Sequence, residues 1–65
     1  MELTASLTKS LYFMSPDGAT YRGKRFAAGQ VVQVRETRRG LKAIVRDGLE
    51  TYYRVVTDAD LNKNL

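Results

Sequence analysis

Two apolar runs meet at the stretch RETRRGLK and limit the fold of this chain more than any other feature of its sequence. Apolar residues recur at every second position on either side of it, which is the pattern of half-buried β-strands. A tight turn joins the runs into an antiparallel hairpin, and the pairing is the same whether the loop is 38–39 or 37–40. We predict five opposed pairs, which are Val32 with Val45, Val34 with Ala43 and Glu36 with Leu41 on one face, and Arg35 with Lys42 and Gln33 with Ile44 on the other.

Turn signals place a second hairpin before this one and a third after it. In SPDG, residues 15–18, proline and glycine suit a three-residue loop with a glycine bulge. That loop pairs Phe13 with Tyr21, Leu11 with Gly23, and Tyr12 with Arg22.

The third hairpin contains Asp47 and Gly48. A two-residue loop there would turn Glu50 and Arg54 into the core, so we predict a bulged loop at residues 46–48 instead. This loop pairs Val45 with Leu49, Ala43 with Thr51 and Leu41 with Tyr53. The predicted core is then Leu11, Phe13, Val32, Val34, Leu41, Ala43, Val45, Leu49, Tyr53 and Val55.

These hairpins predict an all-β fold, a five-stranded antiparallel meander that closes as a small barrel. In the segment TDADLNKNL, Thr57 or Asp58 can act as an N-cap and acids occupy the first turn, which predicts a short C-terminal helical turn. At 65 residues the chain forms one domain, 1–65. A core this small contributes little stability, so we expect the chain to self-associate as a homodimer.

The glycine-bearing hairpin GQVVQVRETRRGLKAIV and the divergence at FAAGQ resemble SH3-like small barrels of the KOW and Tudor type. The resemblance covers about half of the chain. Members of these families often bind RNA, DNA or charged protein segments, so the resemblance implies a binding module. One feature departs from it, because an SH3 domain commonly places its 3₁₀ turn before the last strand, whereas here it follows the fifth.

Positive charge is concentrated in the middle of the chain. The net charge is +4, and eight cations but only one acid lie between Arg22 and Arg46. The predicted registers gather Arg35, Lys42, Tyr52 and Arg54 on one sheet face, with Arg38 and Arg39 at the hairpin tip. Cations neutralise phosphates and a tyrosine can stack on an exposed base. With Arg22 and Tyr12 from the first hairpin, this face predicts a small module that binds DNA or RNA.

A protein–protein interaction module is the alternative. Val31, Ile44, Tyr52 and Val56 make the same face more apolar than phosphate binding needs. The partner would then be an acidic protein surface, as for a phage or mobile-element accessory protein that modulates a host factor. Salt should weaken nucleic-acid binding steeply, whereas a protein contact should depend on Ile44 and Val56.

Catalysis is not expected. The chain has no histidine and no cysteine, so the commonest general base and the strongest nucleophile are missing. Asp58 and Asp60 form the only close acid pair, and their position at a helix start explains them. We therefore predict no catalytic residue, no metal site and no cofactor. No segment is long and apolar enough to suggest a signal peptide or a membrane span, and we expect a soluble cytoplasmic protein.

Overall fold

Seven antiparallel strands form one sheet in the computed structural model, which describes residues 2–17 and 20–63. The strands are β1 (Glu2–Leu7), β2 (Leu11–Asp17), β3 (Thr20–Phe26), β4 (Val31–Thr37), β5 (Gly40–Asp47), β6 (Glu50–Val56) and β7 (Leu61–Asn62). Their order across the sheet is β3-β2-β6-β5-β4-β1-β7, and the sheet is curled into a half-barrel.

The predicted all-β antiparallel fold is therefore confirmed, but the strand count and order differ from the prediction. Only β4, β5 and β6 form a meander, while β1 lies beside β4 and β2 lies beside β6. The two additional strands, β1 and β7, come from the two ends of the described chain. The sheet is an open half-barrel rather than a closed barrel.

A short connection between β1 and β2 explains why the sheet curls. In a flat sheet these two strands would lie four strand spacings apart, which is about 19 Å. The chain has only residues 8–10 between Leu7 and Leu11, and four residues fully extended span at most about 14 Å. The sheet must therefore bend until its two sides approach each other.

The curl encloses the core on the inner face of the sheet. Phe13 and Phe26 meet edge to face with ring centroids 5.2 Å apart, and Phe26 meets Tyr52 in the same way at 5.4 Å. Such aromatic pairs add stability beyond the area that they bury. The buried apolar residues are Ala5, Leu7, Leu11, Phe13, Phe26, Val32, Val34, Ala43, Val45, Tyr52, Val56 and Leu61.

The central hairpin has the predicted register. The β4–β5 ladder pairs Arg35 with Lys42 and Val34 with Ala43, and the loop is the two residues 38–39. The Thr37 hydroxyl donates a hydrogen bond to the Gly40 carbonyl at 2.7 Å and accepts one from the Arg39 N–H. Four of the five predicted pairs belong to this ladder, which runs from Gln33–Ile44 to Thr37–Gly40.

The predicted register of the third hairpin is wrong. Its loop is Gly48 and Leu49, so Asp47 pairs with Glu50 and Val45 with Tyr52. Gly48 has a φ of 66°, and glycine with positive φ at the first loop position is typical of a type II′ turn. Three predicted core residues therefore lie elsewhere. Leu49 and Val55 are exposed, and Tyr53 is half-buried on the other face.

Two charged residues, Glu50 and Arg54, lie on the inner face, so the reason for preferring the bulged loop was wrong, although the excluded loop at 47–48 is not the observed one either. Glu50 lies at the inner rim, which is the margin of the inner face beside the β5–β6 loop. There its carboxylate accepts a hydrogen bond from the buried Ser15 hydroxyl at 3.2 Å and lies 3.7 Å from Arg22. Arg54 donates from Nη1 to the Tyr12 carbonyl at 2.9 Å. A polar group near a core costs little when it has such partners.

The first hairpin is also shifted from its predicted register. Leu11 pairs with Phe26, and Tyr12 pairs with Arg25 instead of Arg22. The strand continues through residues 15–17, so the predicted turn does not begin at Ser15, and Gly18 lies outside the described residues. The observed register brings Phe26 into the aromatic core, which the predicted one would not do.

Of the short helix or 3₁₀ turn that the C-terminal segment allows, the structure has only a 3₁₀ turn of three residues, Asp58–Asp60. Thr57 is its N-cap, and its backbone N–H donates to the Asp60 carboxylate at 3.0 Å. This hydrogen bond lowers the pKa of Asp60 from its ordinary value, because it favours the charged carboxylate. The turn holds the end of β1, since the Thr8 N–H donates to the Asp60 carbonyl at 3.0 Å.

Two leucine truncations test the β5–β6 register. Leu49→Ala should change the free energy of unfolding by less than about 0.5 kcal/mol, because the side chain is in solvent. Leu7→Ala removes a side chain that is 2% exposed and should cost about 2–5 kcal/mol. Urea denaturation of both variants gives the comparison. A large loss for Leu49→Ala would support the predicted bulged loop against the observed one.

Candidate nucleic-acid interface

The outer face of the sheet is the face turned away from the core. It is formed by the strand residues that alternate with the buried ones. Those whose burial is described are Thr4, Ser6, Tyr12, Met14, Pro16, Gly23, Arg25, Val31, Gln33, Arg35, Thr37, Gly40, Lys42, Ile44, Arg46, Thr51, Tyr53, Val55 and Asn62.

A cationic row crosses this face. Arg35 and Lys42 are directly opposed on β4 and β5, as predicted, and Val55 of β6 is the partner of Lys42 on its other side. Because Met14 pairs with Tyr53, residues 12 and 55 come next to each other on the same face. Tyr12 and its partner Arg25 complete the row on β2 and β3. Arg38 and Arg39 lie beyond it, exposed at the β4–β5 loop.

Three of the predicted site residues lie on the inner face instead. Tyr52 is only 8% exposed and packs on Phe26, so it cannot offer its ring to a base. Arg54 points to the same side, and Arg22 lies at the inner rim beside Glu50. The cause is the change of register, because an odd shift in pairing moves every side chain of a strand to the opposite face.

The corrected register brings Tyr53 and Arg25 to the outer face, and the sequence analysis missed both. Lys42 Nζ lies 4.7 Å from the centroid of the Tyr53 ring, which is a cation–π contact. Arg25 donates to the Ser10 hydroxyl at 3.4 Å. A correct strand register was the only signal that could have placed them, because each is adjacent in sequence to a residue of the opposite face.

Four acidic side chains have partners away from the outer face, while Glu2 is the strand partner of Arg35 in the β1–β4 ladder. Asp47 binds Lys24 at the inner rim, and Asp58 binds Lys63 at 2.7 Å beside the 3₁₀ turn. The hydrogen bond to Asp47 raises the pKa of Lys24 from its ordinary value, because it favours the charged ammonium group. Asp60 lies 3.4 Å from Lys9. These pairs neutralise cations at the rim and the 3₁₀ turn and leave the outer face rich in positive charge.

Arg54 has a structural contact that the sequence did not suggest. Its hydrogen bond to the Tyr12 carbonyl joins β6 to β2, whose ladder contains the single pair Met14–Tyr53. The Arg54 Nε is buried and has no hydrogen-bond partner within residues 2–17 and 20–63. The guanidinium thus holds β2 where few backbone pairs do so.

A metal site and a membrane-spanning helix are both absent from the described part of the chain. No three histidine, cysteine, aspartate or glutamate side chains there are grouped so that they could hold a metal ion. None of the helical segments in those residues has the length and apolar character needed to cross a membrane.

Comparison of the chain with protein-family models, curated proteins and solved structures gives no match. The function is therefore inferred from the geometry of the outer face.

The strand-joining contact of Arg54 can be measured directly. Arg54→Leu should lower the free energy of unfolding by about 1 kcal/mol, because one charge-assisted hydrogen bond is lost near the surface. Arg46→Leu is the matched control, since Arg46 is an exposed arginine on the neighbouring strand, and it should change stability by less than about 0.5 kcal/mol. Equal effects of the two substitutions in urea denaturation would contradict this role for Arg54.

Proposed function

We propose that this protein binds nucleic acid through its outer face and its β4–β5 hairpin loop. One observation carries the proposal, which is the number of cations on the outer face and its loop, where Glu2, the strand partner of Arg35, is an acidic position. The described ion pairs hold Asp47, Glu50, Asp58 and Asp60 at the inner rim and the 3₁₀ turn. The outer face and the loop keep six cations, Arg25, Arg35, Arg38, Arg39, Lys42 and Arg46.

A polyanion is the partner that such a surface suits. Each phosphate that a lysine or arginine neutralises releases condensed counterions, which favours binding. Arg35 and Lys42 are directly opposed on neighbouring strands, and a phosphate placed between them would contact both cations. Four of the predicted site residues, Arg35, Arg38, Arg39 and Lys42, therefore act together in this proposal.

The fold is compatible with a binding role. A small curled antiparallel sheet is the architecture of SH3-like barrels of the KOW and Tudor type, which the central hairpin resembles. Fold likeness alone is a weak guide to function, so the partner is inferred from the charges. We place the protein among soluble cytoplasmic binding modules that act without a cofactor.

Neutralising the four cations of the β4–β5 hairpin tests the proposal. A variant with Arg35, Arg38, Arg39 and Lys42 all replaced by glutamine should fold and lose binding to both DNA and RNA oligonucleotides in fluorescence anisotropy. Each lost phosphate contact should also flatten the slope of log K against log salt by about 0.9 on duplex DNA and about 0.7 on single strands.

A charge-matched pair of double variants serves as the control. Arg38→Gln with Arg39→Gln removes two loop cations, whereas Lys9→Gln with Lys63→Gln removes two that already have acidic partners. The first pair should weaken binding and the second should have little effect. Equal losses would mean that net charge, not this surface, attracts the oligonucleotide. An unmodified protein that binds neither DNA nor RNA at about 50 mM salt would end the nucleic-acid proposal.

A protein-interaction surface is the second candidate, and exposed apolar side chains on the outer face favour it. Val55 is 62% exposed, Val31 53% and Met14 40%, with half-buried Ile44 among them. Val56, which the sequence analysis assigned to this surface, is buried in the core. The partner is an acidic protein, as for the phage-type accessory proteins considered above, or a second copy of this chain.

Light scattering tests contact with a second copy. At micromolar concentration the protein should form a dimer, and Ile44→Ser with Val55→Ser should return it to a monomer. Leu49→Ser is the control, because it removes a fully exposed leucine from a loop outside the outer face. A protein that stays monomeric at every concentration would contradict an apolar contact through this face. So would a dimer that dissociates at high salt but persists in the double serine variant.

A further inference from the structure

We propose that Tyr12 is a stacking platform for one unpaired base, so that the outer face prefers single-stranded nucleic acid to duplex. This inference rests on the proposed function and names its substrate class. It assigns to a different ring the stacking role that was predicted for Tyr52. Three features of Tyr12 carry it, which are the support under the ring, the anchoring of its backbone, and the charges around it.

Gly23 supports the ring from below. A Cβ atom added at Gly23 would overlap Oη, Cζ and Cε2 of Tyr12, so the ring lies directly over the backbone of β3. Gly23 lacks the positive φ that would itself favour glycine, and so the missing side chain is what the ring needs. Tyr12 remains 45% exposed. One face of the ring is thus covered by the strand, and the exposed part is directed to solvent.

The backbone of Tyr12 is anchored on both sides. Its partner on β3 is Arg25, and its carbonyl accepts the hydrogen bond from Arg54 on β6. A ring held in this way loses little conformational freedom when a ligand stacks on it, which favours affinity. Neither contact depends on the exposed face of the ring.

Cations lie in the same row as the ring. Arg25 is directly opposite Tyr12, and Lys42 lies beyond Val55 on the other side. Phosphates bound to these cations would run past Tyr12, and a base between them could stack on its ring. Cationic tracks with interleaved aromatic side chains are the usual design for binding single strands. A duplex hides the faces of its bases and gains nothing from the ring.

Removing the ring is the first test. Tyr12→Leu should weaken binding of a single-stranded oligonucleotide by about fivefold to 150-fold and change duplex binding less than twofold. The salt slope should stay the same, because no phosphate contact is lost. Tyr12→Phe keeps the ring and should bind like the unmodified protein. Leu49→Ala, a truncation of an exposed loop residue outside the outer face, should have no effect on either ligand.

Moving the ring without removing it is the second test. Gly23→Ala forces the Tyr12 ring out of its place but preserves every charge and the tyrosine itself. It should weaken single-strand binding in the same direction as Tyr12→Leu, and the two changes together should cost no more than Tyr12→Leu alone. A tyrosine that only covers a glycine on an edge strand would change stability and leave this preference unchanged.

A measurement on the unmodified protein covers the case in which a variant fails to fold. On titration with a single strand, the ring protons of Tyr12 should shift upfield in NMR spectra as a base stacks on them. Unshifted Tyr12 protons at saturation, or equal losses on single strand and duplex in Tyr12→Leu, would overturn the stacking platform and leave the phosphate site standing. Failure of the unmodified protein to bind any nucleic acid would overturn both proposals.

Discussion

The short connection between β1 and β2 is the constraint on which the rest of the structure depends. Three residues join two strands that lie on opposite sides of the β4-β5-β6 meander, so the sheet can form only if it curls. Curling gives the sheet one enclosed face and one face in water. From then on, the face to which a side chain belongs decides whether it packs in the core or meets a partner.

Strand register therefore determines the chemistry of each surface. In β6 the observed pairing turns Tyr52 and Val56 inward and Tyr53 and Val55 outward. The same pairing brings Glu50 to the rim, where it meets Ser15 and Arg22. Charges of both signs that are mixed along the chain are redistributed in this way, with described ion pairs at the rim and the 3₁₀ turn and six cations on the outer face and its hairpin loop.

The candidate site could be predicted in part. Arg35, Lys42 and the loop arginines belong to one hairpin, whose pairing follows from its own sequence, and the structure places them together. The aromatic part could not be predicted in the same way. A burial argument that excluded charges from the inner face favoured the wrong β5–β6 register, because it could not show that Arg54 would find the Tyr12 carbonyl.

The sequence by itself determined the all-β class, the β4–β5 register and the concentration of positive charge around that hairpin. These follow from alternation and turn chemistry between neighbours in the chain, which act before any distant contact forms. The tertiary structure alone decided the curl, the order of the strands and the side chains that share the outer face. These depend on contacts such as Ser15 with Glu50 and Arg54 with Tyr12, which are 35 and 42 residues apart. Contacts of that range form only once the sheet is assembled, and no local pattern in the sequence encodes them.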